Sequence, residues 1–118
     1  MDKKRFPDKK SVEDQKENLV KADLTGADLR GADLTGVDLT SADLFNATLS
    51  DANLTRAKLS DANLVRADLI RAKLSDANLT RANLRGAALF QADLRGADLT
   101  GQDIDDLKSR GAIVDKEQ

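Results

Sequence analysis

Oxygen-bearing side chains recur in this chain at a fixed interval. Asp23, Asp28, Asp33, Asp38 and Asp43 stand five residues apart, and the series continues through Asn53, Asn63, Asp68, Asn78, Asn83, Asp93 and Asp98. Carboxylates and carboxamides at regular spacing are the donor set that a hard cation takes. Thr48, Lys58, Lys73 and Ala88 interrupt the same register, and a ladder on a convex surface offers no pocket in which several oxygens converge. The series therefore reads as a solvated outer face with ladder hydrogen bonds, and no metal is expected. Ser109 beside Lys108 has the form of a nucleophile next to an amine, but nothing nearby supplies oxyanion donors. The basic opening KKRFPDKK has the charge to meet a nucleic acid or a membrane. Acidic neighbours dilute it and no aromatic interleaving follows, so it reads as a solvated tail. The chain holds no His and no Cys, which removes the commonest general base, the commonest metal ligands, thiol nucleophiles and disulfides together. Catalytic, cofactor-binding and metal-binding residues are all expected to be absent, and the chain is not read as an enzyme.

The elements that position these side chains follow from the period. At 118 residues the chain fits one domain. Aromatics are 3% of it and charged residues 34%, so bulky groups cannot fill a broad interior. Leucine occupies every fifth position from Leu24 to Leu99, and Ile104 closes the series. Two residues before each leucine stands alanine, with Val37 and Gln102 as exceptions. Five residues of α-helix advance about 500°, which scatters the leucines around the helix. In a strand the side-chain period is 2, so an odd spacing sends successive leucines to opposite faces. Neither element fits. A chain that turns a corner once per repeat, always the same way, puts each leucine and alanine inside and coils into a solenoid. Its coils stack at about 4.8 Å through backbone hydrogen bonds.

Charge gives the number of corners per coil, since residues stacked on the outside avoid like charges. At an offset of 20, five outward pairs are opposite (Asp51/Arg71, Arg56/Asp76, Asp61/Arg81, Asp38/Lys58, Lys73/Asp93) and one is like (Asp23/Asp43). At 15 there are two opposite pairs and six like, and at 25 two and four. Four repeats per coil is the reading that charge selects. Each side then carries a leucine ladder, such as Leu24, Leu44, Leu64, Leu84 and Ile104. Glycine precedes the small inward residue at Gly26, Gly31, Gly36, Gly86, Gly96 and Gly101, but Asp, Asn, Arg, Ser and Gln share that place. The mixture implies that a positive φ is not obligatory there.

The run ADLTGADLRGADLTGVDLTSADL at 22–44, continued to residue 104 as tandem A(D/N)LXX, resembles the pentapeptide-repeat family. The resemblance implies an all-β fold: a right-handed quadrilateral β-helix of about four coils of four repeats. Some members of that family mimic duplex DNA and bind type II topoisomerases, protecting them from quinolone drugs. Such a mimic is strongly acidic, whereas residues 22–104 carry a net charge of -3 and hold Arg66, Arg71 and Arg81 among their aspartates. The topoisomerase role is the alternative reading here. The regularity also suits an idealised, consensus-like sequence.

The chain divides into an N-terminal tail with a possible cap helix (1–21), the β-helix (22–104) and a C-terminal cap and tail (105–118). Net charges are +2, -3 and -1 in that order. DDLKSRGAIV at 105–114 reads as a short helical cap with Gly111 at its end and Ile113 and Val114 folding over the last coil. Ser11 with Asp14 signals a short helix start, and residues 1–10 are expected to be disordered. No apolar stretch serves as a signal-peptide core or a membrane span, so a cytoplasmic location is expected. One outward feature stands apart. At four repeats per coil Phe45 stacks beside Val65, and Ile70 beside Phe90, at positions otherwise held by Thr, Ser or Arg. These pairs either stabilise the sheet or form a contact patch on two sides meeting at one edge. The expected function is a non-enzymatic protein-protein interaction or scaffold module. Its partner is an unknown protein, without direct nucleic-acid binding, membrane or cofactor, and the chain is a monomer or weak dimer.

Overall fold

The computed structural model describes residues 1–6 and 8–116. The repeat chain forms a β-helix solenoid, 45 × 22 × 21 Å overall. Its rungs are parallel β-bridges between residues twenty apart, from Asp23 with Asp43 to Asn78 with Asp98, and Asp93 pairs with Ile113. Each side of a coil gives one bridging residue, so among the described residues no longer strand is formed. The first side is built on Leu24, Leu44, Leu64 and Leu84, the second on Leu29, Leu49, Leu69 and Leu89, the third on Leu34, Leu54, Leu74 and Leu94, and the fourth on Leu39, Leu59, Leu79 and Leu99.

The corner is a β-turn closed by backbone. Ala27 N–H donates to the Leu24 carbonyl at 3.0 Å, and the same bond recurs every five residues from Ala22 to Leu19 through Gln102 to Leu99. The residue at the third position of the turn has a positive φ at every corner. Gly26 is at +68° and Gly36 at +69°, but Ser41 is at +59°, Asn46 at +58°, Asp51 at +60° and Arg56, like Asp61 and Arg66, is near +60°. Positive φ at the third position marks a type II turn. The expectation that this conformation is optional is therefore corrected. A right angle between two extended segments needs it whatever the side chain, and the non-glycine corners carry a left-handed strain of about 1–2 kcal/mol each.

Four of the five amides in a repeat are then bonded by backbone. In the repeat around Leu44, Asp43 N–H donates to Ala22 (2.9 Å), Leu44 to Asn63 (2.8 Å), Asn46 to Val65 (3.0 Å) and Ala47 to Leu44 (3.0 Å). Inside, the ladders are closed off through the first three coils, with Leu24, Leu44 and Leu64 all at 0%, and open slightly in the last coil, where Leu99 is only partly buried. Alanine fills the space between ladders because four converging leucines leave room for little else.

Both outer coils are covered. Asp8 caps helix α1 (Lys9–Asp14) by accepting from Ser11 N–H, so the cap lies three residues before the expected Ser11. Val12 is the buried residue of α1, and the Glu13 carboxylate accepts from Asp33 N–H at 2.7 Å. The expected disorder of residues 1–10 is also corrected for residues 1–6 and 8–10, Pro7 lying outside the described residues. Phe6 is fully buried, with the Arg5 guanidinium 4.5 Å from its ring centroid, and Asp2 N–H donates to the Asp23 carbonyl. A 3-10 turn (Lys16–Asn18) leads to Leu19, which is buried in register five residues before Leu24.

At the other end Asp103 leaves the ladder and caps α2 (Ile104–Ser109). Side chains take the Ala82 and Ala87 carbonyls, which a further coil would have bonded, and add a second donor to the Leu79 and Leu84 carbonyls, which already accept their own turn amides. Gln102 Nε2 donates to Ala82 (2.8 Å) and Leu79 (3.1 Å), and Arg110 donates to Leu84 (2.6 Å) and Ala87 (2.7 Å). This explains why Gln102 departs from the alanine rule. Ile113 does not fold over the last coil as expected; it adds a rung beside Asp93, accepting from Leu94 N–H and donating to Ala92.

Two substitutions probe this architecture by chemical denaturation. A Cβ added at Gly36 would meet nothing within 4 Å, so Gly36→Val is expected to cost about 1–2 kcal/mol from backbone strain alone. Leu64→Lys, which puts an ammonium inside a closed apolar ladder, is expected to abolish cooperative unfolding around the third coil.

Candidate functional site

Each repeat has one amide that the backbone leaves over, that of the residue after the leucine. The oxygen-bearing column supplies its partner. Asp43 Oδ1 accepts from Phe45 N–H (3.1 Å), Asn63 Oδ1 from Val65 N–H (3.0 Å), Asp68 Oδ1 from Ile70 N–H (3.0 Å) and Asn53 Oδ1 from Thr55 N–H (3.0 Å). Where a threonine follows an aspartate, its hydroxyl donates as well, at 2.6 Å from Thr40 to Asp38. The Asp and Asn ladder is thus a column of side-chain turns that completes the backbone's hydrogen bonding. Sequence reading found the column and missed this role. Among the described residues no group of three or more acidic side chains is arranged to hold a metal.

The same bonds set the electrostatics. The Thr25, Thr35, Thr40 and Thr100 hydroxyls, followed by the amides of the same residues, hold Asp23, Asp33, Asp38 and Asp98 below the usual carboxylate range. The Arg30 side chain, then its amide, brings Asp28 down to about 2. Outward ion pairs follow the twenty-residue offset where geometry allows. Arg71 Nε lies 3.0 Å from Asp51 and Arg81 Nε 2.8 Å from Asp61, both two-pronged. Asp93 bonds Arg95 in its own repeat rather than the expected Lys73, and the Asp76 carboxylate leans over Gly96 instead of toward Arg56.

Phe45, Val65, Ile70 and Phe90 stand at the second position of their turns. Asn46 N–H donates to the Val65 carbonyl, and Arg71 N–H to the Phe90 carbonyl at 2.9 Å, so the two stacked pairs form as expected. Their arrangement differs from a single edge. Phe45 and Val65 occupy the corner between the first and second sides, and Ile70 and Phe90 the corner between the second and third. Thr48, Asp68 and Ala88 point outward between them. The four residues therefore frame the second side. Phe45, Val65 and Ile70 are partly covered by the coils next to them, whereas Phe90 is 57% exposed. Above Phe90 sits Gly111 at φ +90°, where an added Cβ would lie 3.1 Å from the ring and from the Phe90 Cα. Arg66 and Arg85 flank the Phe45 corner without an ion pair among the described residues.

Two measurements test the column. Asn53→Ala strands the Thr55 amide and is expected to cost about 0.5–1.5 kcal/mol, while Ala88→Asn supplies an acceptor for Phe90 N–H and is expected to stabilise by up to that amount. The depressed aspartates stabilise the fold fully above the unfolded carboxylate value of about 3.9, and that stability is lost as pH falls through their folded values. The melting midpoint is expected to be flat between pH 7 and 5 and to fall between about pH 4 and about pH 2. Asp33→Asn/Asp38→Asn, which keeps the turn acceptors and removes two titrating groups, is expected to shrink that fall.

Similarity to known proteins agrees with this geometry. A pentapeptide repeat protein, Rfr23, from the cyanobacterium Cyanothece 51142 is 40% identical with a TM-score of 0.68, over 80% of this chain and 60% of that one. A pentapeptide repeat protein of the Arabidopsis thaliana thylakoid lumen is 30% identical with a TM-score of 0.60, over 67% of this chain and 59% of that one. The chain thus spans about three fifths of the length of either relative. QnrB1, a plasmid-mediated fluoroquinolone resistance protein, matches at 19% identity and a TM-score of 0.41 over 80% of this chain and 61% of that one, a likeness too loose to bear on function. No curated protein matches the sequence. Among the described residues no helix is long and apolar enough to cross a membrane. The family model for Pentapeptide repeats (8 copies) matches residues 22–61, 47–86 and 62–101, the span in which the left-handed corners recur every five residues from Gly26 to Gly101, and the chain belongs to the pentapeptide-repeat family.

Proposed function

We propose that the protein is a non-enzymatic interaction module whose second side is the docking surface for a protein partner. The observation that carries this reading is Phe90, 57% exposed on a coil framework where every leucine of the first three coils is closed off. An apolar ring left in water on a rigid surface, with Ile70 below it and Phe45 and Val65 on the neighbouring corner, is the composition of a contact patch. The backbone's own hydrogen bonding leaves the outward side chains free to vary, so the coils act as a frame. That frame is right-handed in this reading, the hand that membership of the pentapeptide-repeat family implies. A cytoplasmic, cofactor-free role as monomer or weak dimer fits a chain without His or Cys.

The duplex-mimic alternative gains no support from the surface. The guanidinium groups of Arg71 and Arg81 lie on Asp51 and Asp61, cancelling negative charge that a nucleic-acid surrogate must display. Affinity capture with wild type and with Phe45→Ser/Phe90→Ser tests the docking side. Specific capture by wild type that the double variant loses is the expected result, and identical capture by both overturns it. In a gyrase supercoiling assay no inhibition is expected at high protein concentration.

A further inference from the structure

The outward residues of the second side, taken coil by coil, have a property that a docking surface for an arbitrary protein does not need. Along the first corner they are Thr25, Phe45, Val65 and Arg85. Along the middle they are Asp28, Thr48, Asp68 and Ala88. Along the far corner they are Arg30, Ser50, Ile70 and Phe90. A copy turned end for end, about an axis between the second and third coils, brings each corner against the same corner in reverse order. Phe45 then meets Val65 of the second copy, and Val65 meets Phe45. Arg30 meets the exposed Phe90 ring. Arg85, which has no ion pair in its own chain among the described residues, lands at Thr25 between Asp23 and Asp28. The remaining carboxylate, Asp68, meets Thr48, and Asp28 meets Ala88. Within these three columns no like charges face each other. With the two rods parallel the corners would exchange, but the middle column would meet itself in register. Asp28 would then face Asp28 and Asp68 would face Asp68, which is repulsive at two places.

We propose that the second side is a self-association surface on which two copies pair antiparallel. This rests on the reading of that side as a docking surface and names its occupant. Charge complementarity under reversal is the argument. The acidic first two coils (net -4 over residues 22–61) lie against the third and fourth (net +2 over residues 62–101) of the other copy. The guanidinium of Arg30, 65% exposed and held flat by two bonds to Asp28 at 2.8 and 2.7 Å, is presented for stacking on an aromatic ring. Because the contact is two-fold, each interaction occurs twice and the assembly closes as a dimer. A flat side four coils high is smaller than the roughly 1,200 Å² of a stable interface, so the dimer is a weak, reversible one.

Sedimentation equilibrium from about 10 µM to about 1 mM reads the association. Wild type is expected to shift from monomer toward dimer across that range, and Phe90→Ser and Arg30→Ser each to weaken the shift about fivefold or more, since each removes two contacts. Orientation is read by oxidising single-cysteine variants, the native chain having none. Asp28→Cys mixed with Ala88→Cys is expected to cross-link, and Ala88→Cys alone to stay uncross-linked. A chain that is monomeric at 1 mM, or an Ala88→Cys sample that links to itself as readily as the mixture, overturns the proposal. If the chain stays monomeric while Phe45→Ser/Phe90→Ser still loses a captured protein, the docking reading stands and self-pairing falls. If it dimerises as described and captures nothing, self-pairing stands alone.

Discussion

The left-handed residue at each corner is the constraint from which everything else in this molecule follows. A type II turn at every fifth residue converts an extended chain into a square coil, which returns to its own starting side after twenty residues. Only that return lets Leu44 stack on Leu24 and lets the Leu24 amide reach the Asp43 carbonyl. The ladders hold the coil closed, burying leucines each worth roughly 1.5–3 kcal/mol. Their gain must offset the strain of corners such as Arg56, Arg66 and Arg81, where a side chain sits in a conformation that favours glycine. The interior is therefore nearly uniform while the corners tolerate many residue types, and a surface can be written on the frame without altering it.

How much of this could be read from the sequence depends on whether a residue's type is fixed by its place. Leucine and alanine are nearly fixed, with Val37 the buried exception, because the interior admits little else, and they gave the register. The twenty-residue return was legible through exposed charges, since Asp51 and Arg71 or Asp61 and Arg81 reveal stacking that apolar repeats cannot. The corner conformation was hidden for the opposite reason. Its side chain points into solvent, strain is its only signature, and Asp, Arg and Ser at those positions look like an ordinary polar surface. The Asp and Asn column was visible but ambiguous, because a solvated face and a row of turn acceptors require the same residues. The ends were the least legible. Nothing local distinguishes Gln102 and Arg110 as caps, for their partners, Ala82 and Ala87, lie a full coil or more away along the chain. Phe6 is a lone aromatic in a charged segment, and its burial depends on a surface that only the folded first coil provides.

For the candidate site, spacing alone placed Phe45 beside Val65 and Ile70 beside Phe90, and the structure keeps both pairs. What spacing could not show is that the turn puts them at two corners rather than one. That difference changes the meaning of the patch. Two apolar corners on either side of Thr48, Asp68 and Ala88 make a framed flat surface, suited to another flat surface of the same dimensions. Phe90 stands out because the chain above it is Gly111, which has no side chain to cover the ring, and the fold leaves the phenyl group exposed at that point.

The central claim is the return after twenty residues, and an intramolecular disulfide measures it directly. Thr40 and Ser60 are stacked neighbours on one corner, with backbones a strand spacing apart, within the range that a disulfide spans. Thr55, fifteen residues from Thr40, lies on a different corner. Thr40→Cys/Ser60→Cys is expected to oxidise fully and reversibly within the folded monomer, and Thr40→Cys/Thr55→Cys to remain reduced until the chain is unfolded. Ready closure of the fifteen-residue pair, with the twenty-residue pair inert, would contradict the coil and everything built on it.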